Sequence, residues 1–150
     1  MGDYIILELI PEAISPDKGS IVQLSALKLN DLTLIDRFDY RLSFDKVNNI
    51  SVLEICSYDK DKFKYVNSNE ELLEEFKKWS QGFKLLIIDN IYTLNFLETL
   101  ENEKESIFKY LNMEYHDYII DDVIKKYNLQ PSNYIVDLLY EALIYESNSK

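Results

Sequence analysis

Glu8 is the side chain that most needs a chemical reason, because it interrupts the apolar run Tyr4 to Ile10 (YIILELI). A carboxylate in a buried strand keeps its charge only beside a partner, unless a strand-end position lets it reach solvent or a local donor. Asp137 sits near the start of the last helical segment, where the helix dipole favours an acid. Asp89-Asn90 follow an apolar run and suit either the lip of a pocket at a strand's C-terminal end or a turn and cap. Ser132 suits an N-cap, with Asn133 as the alternative. The single histidine, His116, lies in a tyrosine-rich connection without the partner spacing of a metal site or triad, which predicts a surface or interface role. Cys56 and Trp79 are predicted to be core, and the acidic runs EELLEE and ENEKES to be solvated helix faces.

The elements that must position these groups follow from periodicity. Tyr4 to Ile10 reads as a strand covered on both faces. Ile21 to Leu29 and Leu34 to Phe44 read as a hairpin joined at Asn30-Asp31. In its second strand Leu34, Phe38, Tyr40 and Leu42 share one face, and Ile35, Arg37, Asp39 and Arg41 the other, as in a half-buried strand. Residues 45–67, with the charged run DKDKFK, read as a long connection with a helical turn. Ser68-x-x-Glu71 has the form of a capping box, and Leu72, Leu73, Phe76 and Trp79 follow at helical spacing before Gly82. Phe83 to Ile88 is a second buried-type strand. Leu94, Leu97 and Leu100 predict a helix interrupted by Glu101 to Glu105, then a short piece from Ile107 to Leu111. Ile120 to Tyr127 and Ile135 to Ala142 mark two further helices, and the tail 146–150 is expected to fray.

Composition sets the bounds. A chain of 150 residues, 47% hydrophobic and 13% aromatic, has material for one α/β domain over its whole length. The net charge of -11 disfavours contact with a phosphate backbone without excluding a local basic rim. One cysteine, no membrane-length apolar run and no secretion signal predict a reducing, cytoplasmic setting.

The order of elements, read with particular residues, resembles the DEDD-type (DnaQ-like) 3′–5′ exonucleases of the ribonuclease-H-like superfamily. IILELIPEAI falls where that family has an apolar strand ending in Asp-x-Glu-Thr, SIVQLSALKLND and RFDYRL resemble the next two strands, and LLIIDNIYTLNFL resembles the later strand and helix start. IIDDVIKKYNL with PSNYIVDLLYEAL resembles the closing pair of helices, the last bearing an Asp. The resemblance implies a mixed sheet, three antiparallel strands followed by parallel ones, flanked by helices. It also implies two-metal hydrolysis, in which carboxylates hold two Mg²⁺ or Mn²⁺ ions about 3.5–4 Å apart. Carried over by position, the first carboxylate falls on Glu8 and the last on Asp137, as vestigial catalytic and metal-binding candidates. The other two fall on Ile10 and Thr93, and the general-base positions on Ser132 and Asn133, with Tyr134 one residue too close.

The expectation is therefore an exonuclease-like pseudoenzyme with no resident cofactor, acting through a protein partner in a nucleic-acid-related process. One rival is an active nuclease rebuilt from Glu8, Asp137 and neighbours such as Glu12, Asp89 or Asp122. Another is an acidic mimic of nucleic acid. A binding module should expose an apolar or aromatic patch.

Overall fold

The computed structural model describes residues 2–56 and 62–149, so the charged run at 59–61 lies outside the described residues. Strand β1 (Asp3–Pro11) pairs antiparallel with β2 (Ile21–Asn30), and β2 antiparallel with β3 (Thr33–Leu42). Strand β5 (Lys84–Ile87) lies parallel to β1 on its other side, and with the edge strands β4 (Lys64–Val66) and β6 (Lys104–Ser106) the sheet order is β4-β3-β2-β1-β5-β6. The antiparallel trio followed by parallel strands is the arrangement expected from the sequence.

Alternate residues of β1 feed two cores, as the period of a strand requires. Ile5, Leu7 and Leu9 join Leu24, Ala26 and Phe38 beneath helix α1 (Asn69–Trp79), whose Leu72 and Phe76 are fully buried. Ile6, Leu27 and Leu29 face the opposite way, toward α3 (Ile107–Tyr110), α4 (Ile119–Tyr127) and α5 (Ile135–Asn148). Helix α1 starts where its signature predicts: the Ser68 hydroxyl accepts from the Glu71 amide at 3.1 Å. The Glu71 carboxylate accepts from Asn67 rather than from the cap residue itself. Gly82 takes φ +83 just past the helix, which only glycine adopts without strain.

Several expectations need correction. Strands β4 (Lys64–Val66) and β6 (Lys104–Ser106) are absent from the sequence reading. Each is a three-residue sheet edge, too short to show alternation, and β6 falls in the stretch read as a solvated charge run. Its Glu105 is instead held by Lys84 at 3.3 Å, Lys109 at 2.7 Å and the Tyr110 hydroxyl at 2.6 Å. The predicted helix through Leu100 is the short α2 (Ile91–Phe96), with Leu97 and Leu100 buried in the turn beyond it. Ser132 is not the N-cap of α5, nor is Asn133. The cap position is Tyr134, and the Ser132 hydroxyl accepts from the Tyr134 amide at 3.0 Å, closing a turn just before the helix. Helix α5 runs to Asn148, and within its last turn the Glu146 carboxylate accepts from Tyr127 at 2.6 Å and Asn112 at 2.8 Å.

The β2–β3 turn is built on Asp31 and Leu32, with φ 46 and 69. The two-residue loop between Asn30 and Thr33 calls for positive φ at both positions, a conformation leucine adopts only at a cost. Leu32 packs against the α5-side core, and its carbonyl accepts from the Tyr140 hydroxyl at 2.7 Å.

Candidate functional site

The α5-facing side of β1, β2 and β3 is apolar near the start of β1 and polar toward its end. Glu8 pairs in register with Ser25, and Ser25 with Asp39; the next row holds Ile10, Gln23 and Arg41. Ser25, Asp39, Gln23 and Arg41 are all buried. The second face of β3 is therefore interior from Asp39 onward, while Ile35 at its start is exposed and Arg37 half-buried. Covering it are α5 and the connection after β3, whose 3₁₀ segments Phe44–Lys46 and Ile50–Ile55 bring Val47, Val52 and Cys56 against Leu42 and Ile10.

Glu8 keeps partial exposure, yet the surrounding protein strips enough water from it to push its pKa from 4.5 up to about 8. Its carboxyl makes no hydrogen bond with the described residues. Its charge is felt at Tyr92 and Cys56, whose own pKa values are raised first by burial.

Asp137 stands in the first turn of α5, as expected, but the dipole is not its main partner. The Arg37 guanidinium grips it as a fork, with Nη1 to Oδ1 at 2.7 Å and Nη2 to Oδ2 at 3.2 Å. Arg37 Nε donates to Asp39 at 3.1 Å, and Lys62 Nζ approaches Asp137 to 3.9 Å while lying over the Tyr134 ring. Burial opposes the charge on Arg37, but the hydrogen bonds it donates to Asp137 and Asp39 outweigh it and leave the pKa raised. The Asp39 side chain is 6% exposed, and its Oδ1 has no hydrogen-bond partner among the described residues.

Arg41 is 3% exposed, donates from Nε to Gln23 at 2.9 Å and stacks over Phe63 at 4.0 Å. Its Nη2 has no partner among the described residues. Gln23→Leu would leave a second guanidinium donor unmet. It should lower stability by about 1.5–3 kcal/mol, read as a lower urea midpoint at unchanged slope; an unchanged midpoint would show that Arg41 finds another acceptor.

The other positions singled out in the sequence lie elsewhere or serve the fold. Thr93 is buried, with its amide donating to Asn90, so Asn90 is the cap of α2. Asp89 Oδ1 is buried without a partner among the described residues. Glu12 is occupied by the amides of Ser20, Asn48 and Asn49. Asp122 pairs with the exposed His116 at 2.9 Å. Among the described residues no three His, Cys, Asp or Glu side chains are grouped to hold a metal ion. A groove at the other end of the sheet is lined by Tyr4, Lys77, Lys78, Phe83, Lys84 and Glu103 and carries both signs of charge. Sequence reasoning missed Arg37, Asp39 and Arg41 as site residues. The available signal was three charges spaced two apart in a strand with apolar alternates.

Sheet order and helix placement define a ribonuclease-H-like fold of the exonuclease type. A solved structure of exonuclease I with bound product superimposes with a TM-score of 0.61 at 10% identity, covering 99% of this chain and 43% of that one. The likeness is one of fold. No protein-family model matches the sequence. Ubiquitin carboxyl-terminal hydrolase 28 of Gallus gallus is 34% identical over 73 residues, which is 48% of this chain and 7% of that protein. Among the described residues, no helix is long and apolar enough to cross a membrane.

Proposed function

We propose that this domain is an exonuclease-like module with a degenerate two-metal site, non-catalytic and working through protein contacts in a nucleic-acid-related process in the cytoplasm. The observation that carries this reading is the Arg37 fork on Asp137. A guanidinium donating to both carboxylate oxygens occupies one lone pair on each and offsets the charge that a divalent ion needs. The remaining donor set does not fit a pair of Mg²⁺ or Mn²⁺ ions. Ile10 offers no ligand, and Thr93 is a buried helix-start residue without a carboxylate. At the general-base positions, the Ser132 hydroxyl serves the turn before α5.

The protein-contact part of the reading draws on the exposed apolar side chains around β4 and the 3₁₀ segments. Phe44 and Tyr65 meet edge to face at 5.5 Å while 45% and 41% exposed, and Ile50 and Ile55 are more exposed still. The charge of -11 points the same way, toward a protein and away from a phosphate backbone.

Titration of the protein with Mn²⁺, beside an assay on 5′-labelled single-stranded DNA and RNA, tests the proposal. The expected result is neither micromolar binding nor shortened product. Micromolar binding with shortening that Asp137→Ala abolishes would instead establish a rewired nuclease.

A further inference from the structure

Asp39 belongs to no expected ligand set, yet it is the most enclosed carboxylate bound to Arg37. Its side chain is 6% exposed, against 39% for Asp137, and one of its oxygens has no partner among the described residues. A carboxylate this enclosed is stable as an anion only beside a positive charge. Arg37 supplies that charge from a neighbouring position on β3, and its other two donors reach across to α5. One cation thus joins two carboxylates from separate elements, which is the arrangement a bound metal ion makes. Lys62 approaches Asp137 alone and does not serve Asp39.

Resting on the reading above that the two-metal site is degenerate, we propose that Arg37 is the resident cation of the Asp39–Asp137 pair, and that removing it uncovers a site for a divalent cation. The fork competes with an incoming ion for the Asp137 oxygens, and the single charge of the guanidinium is shared between Asp137 and Asp39. With a neutral side chain at position 37, Asp39 is left with an uncompensated charge and two free oxygens. Asp137 is then restrained only by Lys62 at 3.9 Å. The open oxygen of Asp39 already shows coordinating capacity that the guanidinium does not use.

Mn²⁺ titration of the wild type, Arg37→Met, Arg37→Lys and Arg37→Met/Asp39→Asn, with thermal unfolding in parallel, tests the proposal. Met keeps the aliphatic bulk and loses the charge, so R37M should bind Mn²⁺ at least about tenfold more tightly than wild type and melt higher when Mn²⁺ is added. R37K retains a cation and should behave as wild type, and Asp39→Asn should erase the gain. If R37M is unfolded without metal, Mn²⁺ should restore its circular dichroism; unfolding that persists in millimolar Mn²⁺ overturns the proposal. So does a folded R37M that ignores Mn²⁺, or an R37K that binds as R37M does. Micromolar binding by the wild type would instead overturn the reading on which this proposal rests. Silence in wild type and R37M alike overturns the proposal alone.

Discussion

Glu8→Gln should raise the free energy of unfolding at pH 8 by about 2–4 kcal/mol and remove most of the decline in stability that the wild type shows as pH rises from 4.5 to about 8. In the folded protein Glu8 holds its proton up to about pH 8, whereas the unfolded chain releases it near 4.5. Across that window the unfolded state binds fewer protons, so stability falls with rising pH and the fall is complete above the folded pKa. A shift of this size sets an upper bound of about 5 kcal/mol, and the partial exposure of Glu8 brings the expected effect below it. Glutamine keeps the shape and removes the charge. Urea unfolding of both proteins at pH 5, 6.5 and 8 measures the difference. Parallel pH profiles would show that Glu8 ionises freely in the folded state. A carboxyl that weakens the fold at neutral pH and has no hydrogen bond among the described residues is not held at that position by stability.

The largest loss should come from the other face of the sheet. Phe76 is fully buried in α1, edge-on to Phe38 at 5.2 Å and 5.9 Å from Trp79. Phe76→Ala removes the central ring of that core and should cost about 3–5 kcal/mol, lowering the melting temperature by roughly 10 °C or more. Calorimetry reads it directly, and a cost under about 1 kcal/mol would mean the core collapses around the gap. Because Phe38 and Arg37 point to opposite faces of β3, this variant should keep the wild-type response to Mn²⁺. It is therefore the control for the Arg37 variants, separating instability from exposure of the carboxylates.

The parts of the fold legible in the sequence are those whose signals are local. The two-faced apolar run of β1, the hairpin, the Ser68 cap and Phe76 at helical spacing all depend on residues close in the chain. The edge strands were hidden because three residues cannot display a period and their partners lie far away in sequence. The site was half legible for the same reason. Glu8 stood out as a charge in an apolar run, and Asp137 as an acid at a helix start. Arg37, Asp39 and Arg41 resemble the wet face of a strand because their cover does not adjoin them in sequence: Phe63 lies over Arg41, and α5 lies about 100 residues further along the chain, as the Arg37–Asp137 contact measures.

Leu32 links the two ends of the chain. A left-handed leucine costs on the order of 1–2 kcal/mol where glycine would cost little, so the β2–β3 hairpin carries a turn that local preference resists. The contacts that offset this, the Tyr140 hydroxyl on the Leu32 carbonyl and the packing of Leu32 against the α5-side core, arrive only with the last helix. A ribosome releases that hairpin long before it releases Tyr140. The turn between two N-terminal strands therefore draws its support from the last helix of the chain.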